Sequence, residues 1–420
     1  MKQLKLNSIP NSVFAAADLT DNTKIAVNNQ TISRADIVAT GRLVACEYFG
    51  NYVNSTSIGE KPYASRLNEK GIDYATLSRK HTEKKLLFCA AQVAKNLGME
   101  APKNFEEVRA NAARYGRDGD FLKVMAAIDR DVLQPLFFDV LDAVGMDLMQ
   151  WDAVPFGGTK QIDIGSNDVF LFEDGSWGSS RSTTKNYLYG KTLTLNPTMY
   201  TCNATIKWYQ DVVAGDAGRY YAAIMRGMYS KIYAKLMHAL KAATNTYIPG
   251  RLKTTTYSTE NWIEISDRVA SVNGVPVNRL MGVGTRKSLS NVLPVDGNGG
   301  AITGLQYGLG ERWFENGFLP KAAGVDLFPV SPAIVPTTQN TTIDTIDTGD
   351  NIYILAKGSY RPMMGGYFEG TPIDLIATPG GADGAQGTAD FTIDINVSVA
   401  FDIKPVFASK VGMIGSAYNS

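Results

Sequence analysis

The stretch that decides the fold runs from Asp216 to Tyr247 and reads DAGRYYAAIMRGMYSKIYAKLMHALKAATNTY. Tyr221, Ile224, Met225, Met228, Ile232, Leu236 and Ala239 recur at three- and four-residue steps, which places them on one stripe of a helix with 3.6 residues per turn. Tyr229, Tyr233, Met237 and Leu240 form a second apolar stripe, while Arg219, Arg226, Lys231, Lys235, His238 and Lys241 fall mostly elsewhere around the axis. Asp216 is placed to cap the first turn and Pro249-Gly250 to stop the last. Such a helix is about 45 Å long, well beyond the globular average of roughly 11 to 12 residues. That length implies a structural strut, with its apolar stripes facing strands on either side in sequence.

Upstream, Tyr200, Cys202, Ala204, Ile206 and Trp208 alternate with Thr201, Asn203, Thr205 and Lys207. Period two with one buried face predicts a strand that runs through TIKWYQDVVAGD into the helix, and it gives Cys202 a packing role. Before it, Pro155 to Lys191 is rich in glycine, serine and scattered aromatics. Gln161 to Phe172 and Asn186 to Leu195 predict a strand pair joined by the tip EDGSWGSSRSTTK. A lone hairpin of that kind is marginal in water, so it needs a surface to lie on, and a neighbouring subunit supplies one.

Downstream, Glu260 to Val272 and Thr285 to Leu293 read as helices, and Arg279 to Val283, Val325 to Val330, Asn351 to Ala356 and Pro372 to Ala377 as strands. GSYRPMMGGYFEG between the last two reads as a turn region. Phe391 to Ile403 alternates apolar and polar without a fault, predicting a strand of about 43 Å that can lie along the long helix. At the other end, residues 1 to 32 read as an extended arm. Ser33 is placed to cap a helix through Tyr48, and Thr82 to cap another that ends at Gly98. Phe105 to Tyr115 reads as a short helix, and Phe121 to Val144 as a longer one that Pro135 kinks or breaks in two.

A chain of 420 residues exceeds what one core usually supports, so two or three subdomains are expected. Lysine plus arginine and aspartate plus glutamate both number 41, which leaves no bulk electrostatic case for a polyanionic partner. The balance is uneven, with 16 basic and 11 acidic residues over 1 to 115 but 4 and 10 over 325 to 420. No apolar run long enough to span a membrane and no secretory leader occurs, so a soluble compartment is expected. Cys46, Cys89 and Cys202 lie far apart with no CxxC pair, against a disulfide framework or zinc knuckle; Cys46 and Cys89 read as small buried hydrophobes.

Catalytic chemistry is poorly supplied. His81 and His238 are the only histidines, and His238 sits among lysines on a solvated helix face. Asp129, Asp131, Asp139 and Asp142 have helix-surface spacing rather than the pairing of a carboxylate dyad. GVGTRK from Gly282 and GNGGAITG from Gly297 match neither a dinucleotide nor a phosphate-loop signature. Aromatics interleaved with bases in KNYLYGK and KWYQ suit a packed sheet face better than base stacking. The reading is of a non-enzyme with no cofactor and no metal.

GKTLTLNPTMYTCNATIKWYQDVVAGDAGRYYAAIMRGMYSKIYAKLMHALKAA, residues 190 to 243, resembles the major capsid proteins of tailed bacteriophages, which share the Hong Kong 97-type fold. The resemblance covers about 270 residues, from about 150 onward, in the order of elements rather than in a fixed signature. It implies an α+β chain with an N-terminal arm or retained scaffold-like helical segment (1–115), a helical lead-in (116–154), an extended loop (155–195), a peripheral domain with a spine helix (196–278), an axial domain (279–385) and a closing peripheral strand (386–420). Within it Tyr209 to Ala214 matches a short helix before the spine.

The function so implied is a structural virion protein that self-assembles, through hexamers and pentamers, into an icosahedral shell around double-stranded DNA, built in the host cytoplasm, with portal, scaffold or decoration proteins as further partners and no membrane. Trp177, Arg181, Tyr187 and Tyr189 are the expected intersubunit contacts, and Lys231, Lys235 and Lys241 the expected interior, DNA-facing residues. Some relatives crosslink a loop lysine to an asparagine, and Lys185 stands where such a lysine would. An encapsulin-type nanocompartment shell, which packages enzymes, and a pocket-based soluble hydrolase are the alternatives.

Overall fold

The computed structural model describes residues 24–27, 30–54, 74–145, 149–164, 190–208, 213, 217–246, 248–292, 316–330, 334–335, 344–345, 351–357, 361–370, 372–379 and 392–418. A short antiparallel hairpin, β1 (Lys24–Val27) and β2 (Gln30–Ser33), opens this part of the chain. It leads directly into α1 (Arg34–Asn54), which runs past the expected end at Tyr48. α2 (Tyr74–Asn96) begins two turns before Thr82, which lies inside the helix and donates its hydroxyl to the Ser78 carbonyl at 3.1 Å. The expectation failed because Ser78, His81, Thr82 and Lys85 are polar yet buried, so the inward stripe of this helix is not apolar there.

The single helix expected over Phe105 to Tyr115 is two, α3 (Phe105–Ala110) and α4 (Ala112–Tyr115), broken at Asn111. Asn104 caps α3 by accepting from the Glu107 amide at 3.0 Å. α5 (Gly119–Gly145) is one 27-residue helix with Pro135 inside it, not two. Proline has no amide to offer the carbonyl four residues back, that of Asp131. Arg42 of α1 takes its place, donating from Nη2 to that carbonyl at 3.1 Å, and Arg34 Nη2 pairs with the Asp131 carboxylate at 2.6 Å.

The long helix is α6 (Ala217–Thr246), within a residue of the expected ends, while Asp216, the expected cap, lies outside the described residues. It stands between β6 (Thr198–Lys207) and the second half of the chain, and it packs on β16 (Thr392–Pro405), the closing strand. One edge of β16 pairs with β6 from Thr392 to Phe401. The other edge pairs first with β15 (Ile373–Pro379) and then with β14 (Met363–Phe368). β14 in turn lies parallel to β3 (Met149–Val154). Ile393, Ile395, Val397, Val399, Phe401 and Ile403 are buried toward the helices, and α5 covers β15.

β14 falls in the segment read as a turn, because MMGGYF carries two glycines. Gly365 is there for space: a Cβ would stand 2.2 Å from Cε3 of Trp151, whose Nε1 donates to the Leu141 carbonyl at 3.3 Å. β4 (Lys160–Ile164) and β5 (Lys191–Leu195) form the base of the expected hairpin in antiparallel register; residues 165–189, including its tip, lie outside the described residues.

A second sheet follows α6, in the order β7-β17-β13-β8-β10-β9. Its strands are β7 (Lys253–Tyr257), β8 (Leu280–Thr285), β9 (Lys321–Ala322), β10 (Val325–Val330), β13 (Asn351–Ala356) and β17 (Gly412–Tyr418). α7 (Thr259–Asn273) packs on β7, β13 and β17, with Ser258 as N-cap and Trp262 buried and donating to the Ala322 carbonyl at 3.3 Å. α8 (Arg286–Ser290) packs on β8 and β10, and β11 (Ile334–Val335) with β12 (Asp344–Thr345) forms a separate two-stranded sheet. No described helix is long and apolar enough to cross a membrane.

Arg42→Ala should destabilise the protein by about 1–3 kcal/mol, since it orphans a helix carbonyl. In a Pro135→Ala background the restored amide serves that carbonyl, and the cost should shrink. Urea midpoints of the four variants test this; equal costs in both backgrounds would contradict it.

Candidate functional site

Three helices place their polar residues against one another in the interior. Lys85 Nζ of α2 pairs with Asp129 Oδ1 of α5 at 2.9 Å, and the Tyr221 hydroxyl of α6 donates to the same oxygen at 2.5 Å. Lys85 Nζ also reaches Tyr221 Oη at 3.4 Å, as does His81 Nε2. Ser78 Oγ accepts from the Gly218 amide at 3.3 Å. α1 closes the group: a Cβ on Gly41 would stand 2.8 Å from both His81 Cε1 and Val132 Cγ2.

The electrostatics follow from burial. Desolvation, then the neighbouring Lys85 charge, pushes His81 down to about 3, so its ring is neutral. Burial, then Asp129, holds the Tyr221 phenol well above its usual range. Burial likewise pushes the Cys89 thiol up to about 12.

These residue types resemble a catalytic set, but the arrangement is closed. Lys85 and Asp129 side chains are 2% and 1% exposed. A cleft of about 340 Å³ lies elsewhere, over Val93, Leu97, Met99, Pro102 and Tyr115, and neither His81 nor Asp129 lines it. The cluster is a latch that locks α2 and α5 to the first turns of α6. Asp129 therefore corrects its helix-surface reading. The missed signal was its place on the apolar stripe with Met125, Val132 and Leu136, all buried. Asp131 is paired with Arg34, and the side chains of Asp139 and Asp142 lie outside the described residues.

The expected contact residues Trp177, Arg181, Tyr187 and Tyr189, and also Lys185, lie outside the described residues. What is described is the anchoring of their hairpin. Lys160 Nζ pairs with Asp152 at 2.7 Å, the Asn196 amide donates to Asp402 Oδ2 at 3.0 Å, and Lys404 Nζ donates to the Thr194 carbonyl at 2.6 Å.

Lys231 and Lys235 come together at one aromatic ring, with Nζ 5.0 Å and 5.2 Å from the centroid of Tyr200 on β6. Lys241 and His238 are exposed further along α6. Cys202 is exposed rather than packed, because β6 is the outermost strand of its sheet and the helices lie over β15 and β16. Cys89 is buried as a small hydrophobe; the Cys46 side chain lies outside the described residues.

His81 makes stability pH-dependent in a defined sense. The unfolded chain binds a proton there near pH 6.5, but the folded chain only near pH 3, so this contribution is full above pH 6.5 and is lost as pH falls. By pH 5 the loss is about 2 kcal/mol. His81→Gln should flatten the change in urea midpoint between pH 7.5 and pH 5 by that amount; an identical pH profile in the variant would contradict the buried neutral imidazole.

The chain matches no protein-family model and no curated protein. Among solved structures it is similar to the mature capsid of bacteriophage PhiM1, at 12% identity over 64% of this chain and 86% of that one, with a TM-score of 0.40. It is similar to the capsid of cyanophage P-SCSP1u at 13% identity over 65% and 88%, with a TM-score of 0.40. It is also similar to the holo-SrpI encapsulin complex from Synechococcus elongatus, at 12% identity over 65% and 88%, with a TM-score of 0.36. The likeness is distant, and these neighbours are shell proteins of phages and of an encapsulin.

Proposed function

We propose that the chain is the major capsid protein of a tailed bacteriophage, a structural protein whose work is geometric. Many copies close through hexamers and pentamers into an icosahedral shell around double-stranded DNA, assembled in the host cytoplasm. The observation that carries this reading is the succession of extended parts: the paired hairpin base β4 and β5, the edge strand β6, the 30-residue α6 and the 14-residue β16. The base of the hairpin is braced by Lys160, Asn196 and Lys404, and Trp177, Arg181, Tyr187 and Tyr189, which lie between β4 and β5 in sequence, would serve as contacts on a neighbouring copy. Interlocked copies of this kind bury interfaces of the obligate class, above roughly 2,000 Å². Portal, scaffold or decoration proteins would be the further partners.

Electron microscopy of the purified protein should show uniform closed shells, with nucleic acid inside particles recovered from a lysate. Persistent monomers would overturn the shell reading, and shells filled with protein and free of nucleic acid would assign the chain to nanocompartments instead.

A further inference from the structure

The longest helix carries no carboxylate. Across Ala217–Thr246 there is no aspartate or glutamate, while Arg226, Lys231, Lys235 and Lys241 all stand on it. Lys231 and Lys235 are one turn apart, and both ammonium groups lie over the Tyr200 ring, 5.0 Å and 5.2 Å from its centroid. Like charges at this helical spacing repel. The π face of one tyrosine offsets part of that. Among the described residues neither lysine is ion-paired with a carboxylate, and the ring brings two positive charges together at one place on the helix face.

We propose that Lys231 and Lys235, gathered at Tyr200, form a clasp for backbone phosphates of double-stranded DNA, and that the exposed face of α6 running on to Lys241 is the side of the plate turned toward the genome. This rests on the shell reading. Small residues beside the bases, Ala223, Gly227 and Ala234, keep this face low enough for a duplex to approach. The opposite face of the sheet is mixed in charge, with Lys207 and Lys404 beside three aspartates. Asp374, Asp394 and Asp402 point away from the helices there, and Lys404 is already engaged by Asp402 at 3.5 Å and by the Thr194 carbonyl. A phosphate backbone is attracted more strongly to the α6 face, which has bases and no carboxylate of its own, than to the mixed sheet face, and the zero net charge of the chain conceals this difference.

Fluorescence anisotropy of a duplex of about 30 base pairs, titrated with unassembled full-length chain between about 50 and 200 mM salt, reads the number of phosphates engaged. The double variant Lys231→Gln, Lys235→Gln should lower the slope of log affinity against log salt by about two, and Lys241→Gln by about one. Lys207→Gln, on the sheet face, should leave it unchanged. Circular dichroism establishes that each variant is folded, and Lys241→Gln decides the matter if the double variant is not. Slopes unchanged in both helix variants, an equal effect of Lys207→Gln, or no duplex binding by the parent chain would each overturn the clasp. Such a result with a parent chain that forms shells leaves the shell reading standing; a parent chain that never forms shells defeats that reading instead.

Discussion

Everything else in the molecule depends on the burial of α6 between two layers. One side of the helix lies on β16, and the other is covered by α1, α2 and α5. Ile232 is 0% exposed and Leu236 1%, as the placement of a spine between layers requires. Each large apolar side chain so buried contributes roughly 1.5–3 kcal/mol, and α6 buries Tyr221, Met225, Met228, Ile232, Leu236 and Leu240. A 30-residue helix is not held straight by propensity; packing along its length does that. The polar latch sits at the N-terminal end of this contact. Removing two charges from water costs several kcal/mol per ion before their attraction is counted, so the latch contributes little net stability. Its effect is on register, because Lys85 and Tyr221 both meet Asp129 Oδ1 and so tie the three helices at one point.

The parts legible in the sequence are those whose periodicity survives tertiary packing. α6 and β16 were readable because one face of each is uniformly apolar over many residues, and β10 and β13 match their expected spans residue for residue. The errors have specific causes. α2 begins before Thr82 because its buried stripe is polar, and a polar residue whose partner lies 44 positions away looks solvated from sequence alone. α5 continues through Pro135 because an arginine from another helix replaces the missing amide. β14 hides behind two glycines that make room for Trp151. β3, β7 and β17 were not anticipated, being short strands whose burial is set by neighbours remote in sequence. Cys202 shows the limit of alternation as evidence, since period two marks a strand but not whether its position in the sheet is central or outermost.

The same plate that organises the core divides the chain's charge. α6 carries bases and no carboxylate, whereas the sheet face turned away from it mixes Asp374, Asp394 and Asp402 with Lys207 and Lys404. A neutral protein can thus present one face suited to phosphate and one less suited, without any local cluster that a composition summary would reveal. The hairpin base follows β3 and leads into β6, and the Asn196 amide ties it to Asp402 of β16, on which α6 rests.

Native-state hydrogen exchange of the α6 amides tests the central claim most directly. If α6 is the common wall of both layers, amides from Tyr221 to Leu240 should exchange only by the opening that also exposes α5 and β16, with the same free energy and the same denaturant dependence. Exchange of α6 at markedly lower free energy, while α5 and β16 stay protected, would contradict the account.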